Sequence, residues 1–202
     1  MPIHFTTLFD LAGGHPALDL VNSLDNRYRA DGPHEMLAGF SELVRFLQES
    51  GLITTVQAQL LKEEANPQAA ERAMISVRQL REASAAVFYA VAAGEVPPAA
   101  DLKMLERFFL EADRHRQLTW ENGPGWKWTS DESNPELSVW ILSRSVCELL
   151  FCEQLALIRT CDADTCRWLF LDTSKNHTRR WCNMRVCGNR MKARRFQARR
   201  AD

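Results

Sequence analysis

Cys161 and Cys166 are separated by four residues, Cys182 and Cys187 by another four, and fifteen residues lie between the two pairs. Matched thiol pairs at this spacing suit a tetrahedral zinc ion, which takes four thiolates at about 2.3 Å and then has no open position for a substrate. A site closed in this way is structural. Met1 to Leu11 lack the basic and apolar run of a secretion signal, so metal ligation is expected ahead of disulfides. Thiol redox exchange usually uses C-x-x-C, which is absent. One zinc ion is therefore expected on Cys161, Cys166, Cys182 and Cys187, while Cys147 and Cys152 read as core residues of an apolar helix.

The same segment carries charge that a polyanion would meet. From Cys161 to Asp202 there are 11 Lys+Arg and 4 Asp+Glu, formally +7, which leaves 14 bases and 22 acids, formally -8, for residues 1–160. An acidic body with a compact basic tail points to nucleic acid, or to docking of the tail on an acidic surface. The candidate phosphate contacts are Arg179, Arg180, Arg185, Arg190, Lys192, Arg194, Arg195 and Arg199. Asn189 has the chemistry to read an adenine edge or to brace the metal loop. Trp168, Phe170 and Trp181 can stack on unpaired bases or form the small core of a zinc module.

Placing these groups demands particular elements. Cys161 to Cys166 make a polar knuckle, and Arg167 to Asp172 read as a strand. Five residues along a regular helix turn about 500°, which would leave Cys182 and Cys187 about 140° apart. A bend must separate them, with Cys187 near the first turn of a helix that continues through Arg200. At about 100° per residue, Arg190 and Arg194 fall on one side of that helix, and Lys192, Arg195 and Arg199 on another.

Ahead of the tail, residues 5–11 suit a short strand running into the Gly13-Gly14 turn. Helices are expected over Pro16 to Leu24, over 35–49, over a shorter segment capped by Thr54 or Thr55, over 68–93, and from Leu102 to about His115. Leu118-Thr119-Trp120 and Trp126-Lys127-Trp128 read as a hairpin whose Trp residues pair across the strands. A last helix from Asn134-Pro135 reaches Ile158 and leads straight into Cys161; its apolar residues either serve the core on more than one side or leave an exposed face for a homodimer. The fold class is mainly α (α+β), a helical body over 1–158 with short hairpins, then a four-Cys finger over 159–202.

With 202 residues, 46% hydrophobic and 25% charged, the composition is that of a globular chain, which excludes disordered, collagenous and coiled-coil readings. No apolar run approaches the ~18 residues of a membrane span, so a soluble, cytoplasmic protein is expected. There is no G-x-S-x-G elbow, Walker loop, G-x-G-x-x-G or H-E-x-x-H, and nothing argues for an enzyme. A helix-turn-helix over 36–65 is rejected: its second helix sets Lys62 against Glu63 and Glu64, a combination phosphates would repel.

Cys161-x4-Cys166, Trp168-Leu169-Phe170-Leu171-Asp172-Thr173-Ser174, Arg179-Arg180-Trp181-Cys182 and Cys187-Gly188-Asn189-Arg190-Met191-Lys192 together resemble the CGNR zinc finger. His15-Pro16-Ala17-Leu18-Asp19-Leu20-Val21-Asn22-Ser23-Leu24 resembles the start of the ABATE domain that precedes this finger in bacterial stress-induced transcription regulators; Ser23 stands where that family often has Thr. The resemblance implies a DNA-binding regulator with double-stranded DNA as its partner. His15, Asp19, Asn22 and Asp25 recur three or four apart, so one side of a helix presents them. They would either line a pocket for a small-molecule effector or cap and brace the Gly13-Gly14 loop. The rival functions are a protein-interaction module and an RNA-binding finger.

Overall fold

The computed structural model describes residues 7–201, with the side chains of Arg195 and residues 198–201 outside that description. Its elements run α1 (Pro16–Asn22), β1 (Leu24–Asp25), β2 (His34–Glu35), α2 (Phe40–Glu49), α3 (Thr55–Glu63), α4 (Pro67–Ala93), α5 (Ala99–Arg114), β3 (Arg116–Trp120), β4 (Pro124–Trp128), α6 (Glu136–Leu150), β5 (Ile158–Thr160), β6 (Leu169–Leu171) and α7 (Asn189–Ala201). The strands form three separate antiparallel pairs, so the architecture is mainly α with small sheets.

Local chemistry sets the helix ends. The Asn66 side chain accepts from the Ala69 N–H and Pro67 starts α4, whereas Gly94, in the left-handed region at φ 72°, ends it. Thr54 and Gln57 form a reciprocal capping box at the start of α3. The long α4 packs against α1, α2, α5 and α6, and this bundle encloses the body core of Leu18, Phe46, Leu80, Phe88, Leu105 and Leu137.

Several expectations change. No strand forms over residues 7–11, and residues 5 and 6 lie outside the description. The Leu8 and Phe9 N–H groups instead donate to the Glu49 carboxylate, and the Phe9 ring meets Phe46 edge-on at 5.2 Å. The helix expected from residue 35 begins at Phe40, because Glu35 is drawn into a bidentate pair with the buried guanidinium of Arg81, both contacts at 2.7 Å. In the β3–β4 hairpin Leu118 faces Trp126 and Trp120 faces Pro124, so no Trp pairs with a Trp across the strands. Trp128 packs on Trp140 instead, and Trp140 stacks on His115 at 3.8 Å.

Helix α6 stops at Leu150, and a 3-10 turn at Glu153–Leu157 and strand β5 separate it from Cys161. Ten of its fifteen residues are buried, so α6 is a core element and offers no apolar face to a second copy. Cys147 is half-buried and Cys152 exposed, so neither is a core residue. Among the described residues no helix is long and apolar enough to cross a membrane.

Candidate metal centre

Strand β6 sends its side chains into two cores. β6 pairs with β5 in the register Ile158–Leu171, Arg159–Phe170, Thr160–Leu169, and all three of its residues are buried. Alternation along the strand places Leu169 and Leu171 in the body core. Phe170 belongs to a second cluster with Cys161, Ala163, Cys182 and Cys187, flanked by Trp168, Trp181 and Met191.

The first knuckle is closed by backbone bonds. The Cys161 N–H donates to the Trp168 carbonyl and the Cys166 N–H to the Ala163 carbonyl, both at 2.8 Å, and Arg167 takes a left-handed φ of 61° to turn the chain into β6. Beyond β6, the buried Asp172 organises the return loop by accepting from the N–H groups of Ser174 at 3.0 Å and Arg179 at 2.9 Å. The bend demanded between Cys182 and Cys187 is a wide, π-type turn at Met184–Gly188, where the Cys187 and Gly188 N–H groups both donate to the Asn183 carbonyl. A Cβ at Gly188 would collide with the Met184 sulfur and sit 3.1 Å from the Trp181 ring, so a side chain there would displace both.

These folds bring four sulfurs within 4.8 Å of one another. Two of the contacts measure 3.6 Å, Cys166 to Cys182, and 3.7 Å, Cys182 to Cys187. A disulfide needs about 2.05 Å. Four thiolates at about 2.3 Å from a zinc ion stand about 3.8 Å apart, so the observed spacing fits the metal. Charge agrees with this. The Cys166 and Cys182 thiols beside it, joined by backbone N–H groups, hold the Cys161 thiol well below the usual thiol range. Facing that thiolate, Cys166 and Cys182 are pushed up, and burial followed by repulsion from Cys161 raises Cys187. A dication lets all four ionise together. Cys161, Cys166, Cys182 and Cys187 are thus positioned to bind one zinc ion, which when bound cross-links the two knuckles.

The basic residues divide into two groups. Arg179 is a brace: its Nε donates to the Trp181 carbonyl at 2.8 Å, its guanidinium also reaches the Cys182 carbonyl, and it lies 4.6 Å over the Phe170 ring. Arg180 pairs with Asp162 at 2.6 Å, Arg194 pairs with Asp164 at 2.9 Å, and Arg190 donates to Thr165. These three therefore turn toward the first knuckle. Arg185 and Lys192 are exposed, and neither side chain has a partner among the described residues. The Asn189 Nδ2 donates to the Arg185 carbonyl at 3.1 Å, which braces the turn. At 100° per residue along α7, Asn189 and Lys192 lie about 60° apart, away from the Arg190 and Arg194 side, and Arg185 stands on the turn that leads into the helix. Arg195 lies in α7 with its side chain outside the described set, as does that of Arg199.

Three members of the polar row in α1 and β1 reach the Gly13 loop or the finger. His15 caps α1, its Nδ1 accepting from the Ala17 N–H, and burial pushes its pKa down, against Glu148. Asp19 accepts the Gly13 N–H at 2.8 Å, and a Cβ at Gly13 would sit 2.7 Å from that carboxylate oxygen. Asn22 clasps the Leu169 backbone with both ends of its amide, donating to the carbonyl at 2.9 Å and accepting the N–H at 3.0 Å. Asp25 accepts the Trp168 indole N–H at 2.8 Å. Asp19 and Asn22 border a hollow of about 10 Å³, whereas Asp25 borders a cleft of about 260 Å³ between body and finger, shared with Arg29, Trp168 and Arg190.

Sequence reasoning read Gly13 as a turn and Asp172 as the end of a strand, and placed neither of them, nor Tyr89, in this seam. Tyr89 donates to the Arg167 carbonyl from α4, the Gly13 carbonyl accepts the Leu171 N–H, and Asp172 shapes the return loop. The Asp172-Thr173-Ser174 run, a pattern that commonly folds into an Asx turn, was the one available signal.

The comparisons with known proteins agree with this geometry. The family model ABATE, described as "Putative stress-induced transcription regulator", matches residues 14–152, and a CGNR zinc finger model matches residues 158–200. No curated protein matches the chain. With more than two thirds of its length covered by the first model, and the zinc-ligand cluster lying inside the second, the chain belongs to the ABATE family and carries a C-terminal CGNR zinc finger.

Proposed function

We propose that this chain is a non-enzymatic, cytoplasmic transcription regulator in which the finger, residues 159–202, contacts double-stranded DNA and the body, residues 1–158, holds the finger, assembles copies or takes up an effector. The observation that carries this reading is the exposed group of Arg185, Asn189 and Lys192, whose two cations are unpaired among the described residues and stand on a turn and helix that begin at the metal ligand Cys187. Unpaired cations on an exposed helix neutralise phosphates and release counterions. Arg190 and Arg194 are a reserve, since their exposed partners Thr165 and Asp164 hold them weakly. For an effector, the cleft beside Asp25 is the favoured place, because it touches both body and finger.

The aromatic residues favour duplex over unpaired RNA. Phe170 is fully buried and the Trp168 indole is tied to Asp25, so these rings serve the finger's core and its seam. The test is titration of zinc-loaded protein into labelled duplex DNA, single-stranded DNA and RNA at several salt concentrations. Duplex binding should weaken by about 0.9 log unit per phosphate contact per decade of salt. No binding to any of the three at one zinc per chain overturns the proposal and leaves the protein-interaction module. Preferential binding of single strands overturns the duplex assignment.

A further inference from the structure

We infer that the β3–β4 hairpin is a self-association surface, whose partner is the same hairpin of a second copy of this chain. The cross-strand register places Leu118 opposite Trp126 and Trp120 opposite Pro124, so these four apolar residues share one face of the ribbon. That face is turned to solvent: Leu118 is 65% exposed, Trp120 78% and Trp126 61%, and Pro124 is exposed as well. Two indoles, a leucine and a proline at these exposures offer roughly 500 Å² of apolar surface. A monomer rarely leaves so large a contiguous patch on its surface without a use for it.

The face is also rigid. Trp128 at the ribbon's base packs on Trp140 of α6, which stacks on His115, and the Arg116 guanidinium sits 4.2 Å over the Trp126 ring and steadies it. Aromatic anchors that lose little freedom on docking are the residues that carry association energy.

Area and charge select the occupant. Two such faces laid together bury roughly 1,000 Å², the lower limit for a specific protein interface, so the surface is large enough for a reversible dimer. Around the patch the ribbon carries Arg116, paired with Asp113 at 3.5 Å, and one further acid and one further base, Glu121 and Lys127. A neutral rim lets a copy approach without repulsion and lets unlike charges meet across a two-fold axis. Nucleic acid or an acidic lipid surface would find no net positive field there. The inference deepens the assembly part of the proposed function and rests on it only there; it is read by mass alone, with no nucleic acid present, so the DNA assignment can fail while this one stands.

The test is sedimentation equilibrium of the zinc-loaded full chain from about 1 to 200 μM, a range that reads a reversible dimer of micromolar affinity. A reversible dimer is expected, with the tryptophan emission shifting to the blue as it forms. Trp120→Ser combined with Trp126→Ser should weaken association at least tenfold while the far-ultraviolet circular dichroism is unchanged, and Leu118→Glu alone should do the same. A wild-type chain that stays monomeric throughout overturns the inference, as do folded variants that dimerise like the wild type. Should the variants fail to fold, hydrogen exchange of the wild type decides: protection of the amides of 117–127 that appears only at dimer concentrations supports the surface, and protection confined elsewhere overturns it.

Discussion

Asp19 gives the sharpest quantitative test of the seam. Its carboxyl is buried in α1 and takes one hydrogen bond, from Gly13, at 2.8 Å. Burial, opposed by that bond and aided by repulsion from Asp10, pushes its pKa from 3.8 up to about 7. A carboxyl raised on folding is stabilising while both states are protonated, below about pH 4, and that stability is lost as pH climbs through about 7. Between pH 5.5 and 8 the loss from this one group is about 2 kcal/mol. Asp19→Asn keeps an oxygen for the Gly13 N–H and removes the charge. Its stability relative to the wild type should therefore rise by about 2 kcal/mol across that window, or by about 4–8 °C in Tm for a chain of this length. Paired denaturation of the two zinc-loaded proteins at each pH reads the difference directly, and the other titrating groups cancel. A difference that stays flat between pH 5.5 and 8 refutes the assignment.

Three further outcomes follow from the same geometry. Cys166→Ser, or removal of zinc by a chelator, should unfold the finger and abolish nucleic-acid binding while the helical signal of the body persists, and retained finger structure with binding would sink the ligand assignment. Asn22→Ala leaves the buried N–H and carbonyl of Leu169 without partners and should cost about 2–4 kcal/mol in thermal unfolding, so a loss under about 0.5 kcal/mol would show that this clasp does not hold the seam. Arg179→Ala should weaken zinc retention, whereas Arg185→Ala should leave zinc bound and lower the salt slope of DNA binding by about 0.9; the reverse pattern would exchange the roles given to them.

The sequence showed the finger more clearly than the elements around it, for a physical reason. Ligand spacing is a local constraint: two x4 pairs and the angular mismatch between Cys182 and Cys187 are visible without any tertiary contact, and the bend they require is present at Met184–Gly188. The start of α2 was hidden because Glu35, directly before a well-patterned apolar stripe, is committed to Arg81 forty-six residues away. The end of α6 was hidden because its apolar run continues in composition past Leu150, while the partner that draws Ile158 to Thr160 into a strand is β6, beyond the first knuckle. Arg179 looked like any other basic residue; its role as a brace appears only when Phe170 and the Cys182 carbonyl stand beside it.

The seam makes the finger less independent than a small zinc module usually is. β6 contributes Phe170 to the cluster around the sulfurs and Leu169 and Leu171 to the body core, so one three-residue strand is shared by two hydrophobic interiors. Asn22, Asp25, Tyr89 and the Gly13 carbonyl then fix its flanks from the body side with hydrogen bonds. Losing the metal therefore removes one of the two supports of β6 and leaves the other. Conversely, a change in the body that shifts α1 acts on Leu169 directly and reaches Cys161 through the Trp168 carbonyl. Asn22, Asp25 and Tyr89 bond residues 167–169 directly, so body and finger meet through fixed hydrogen bonds with no flexible linker between them.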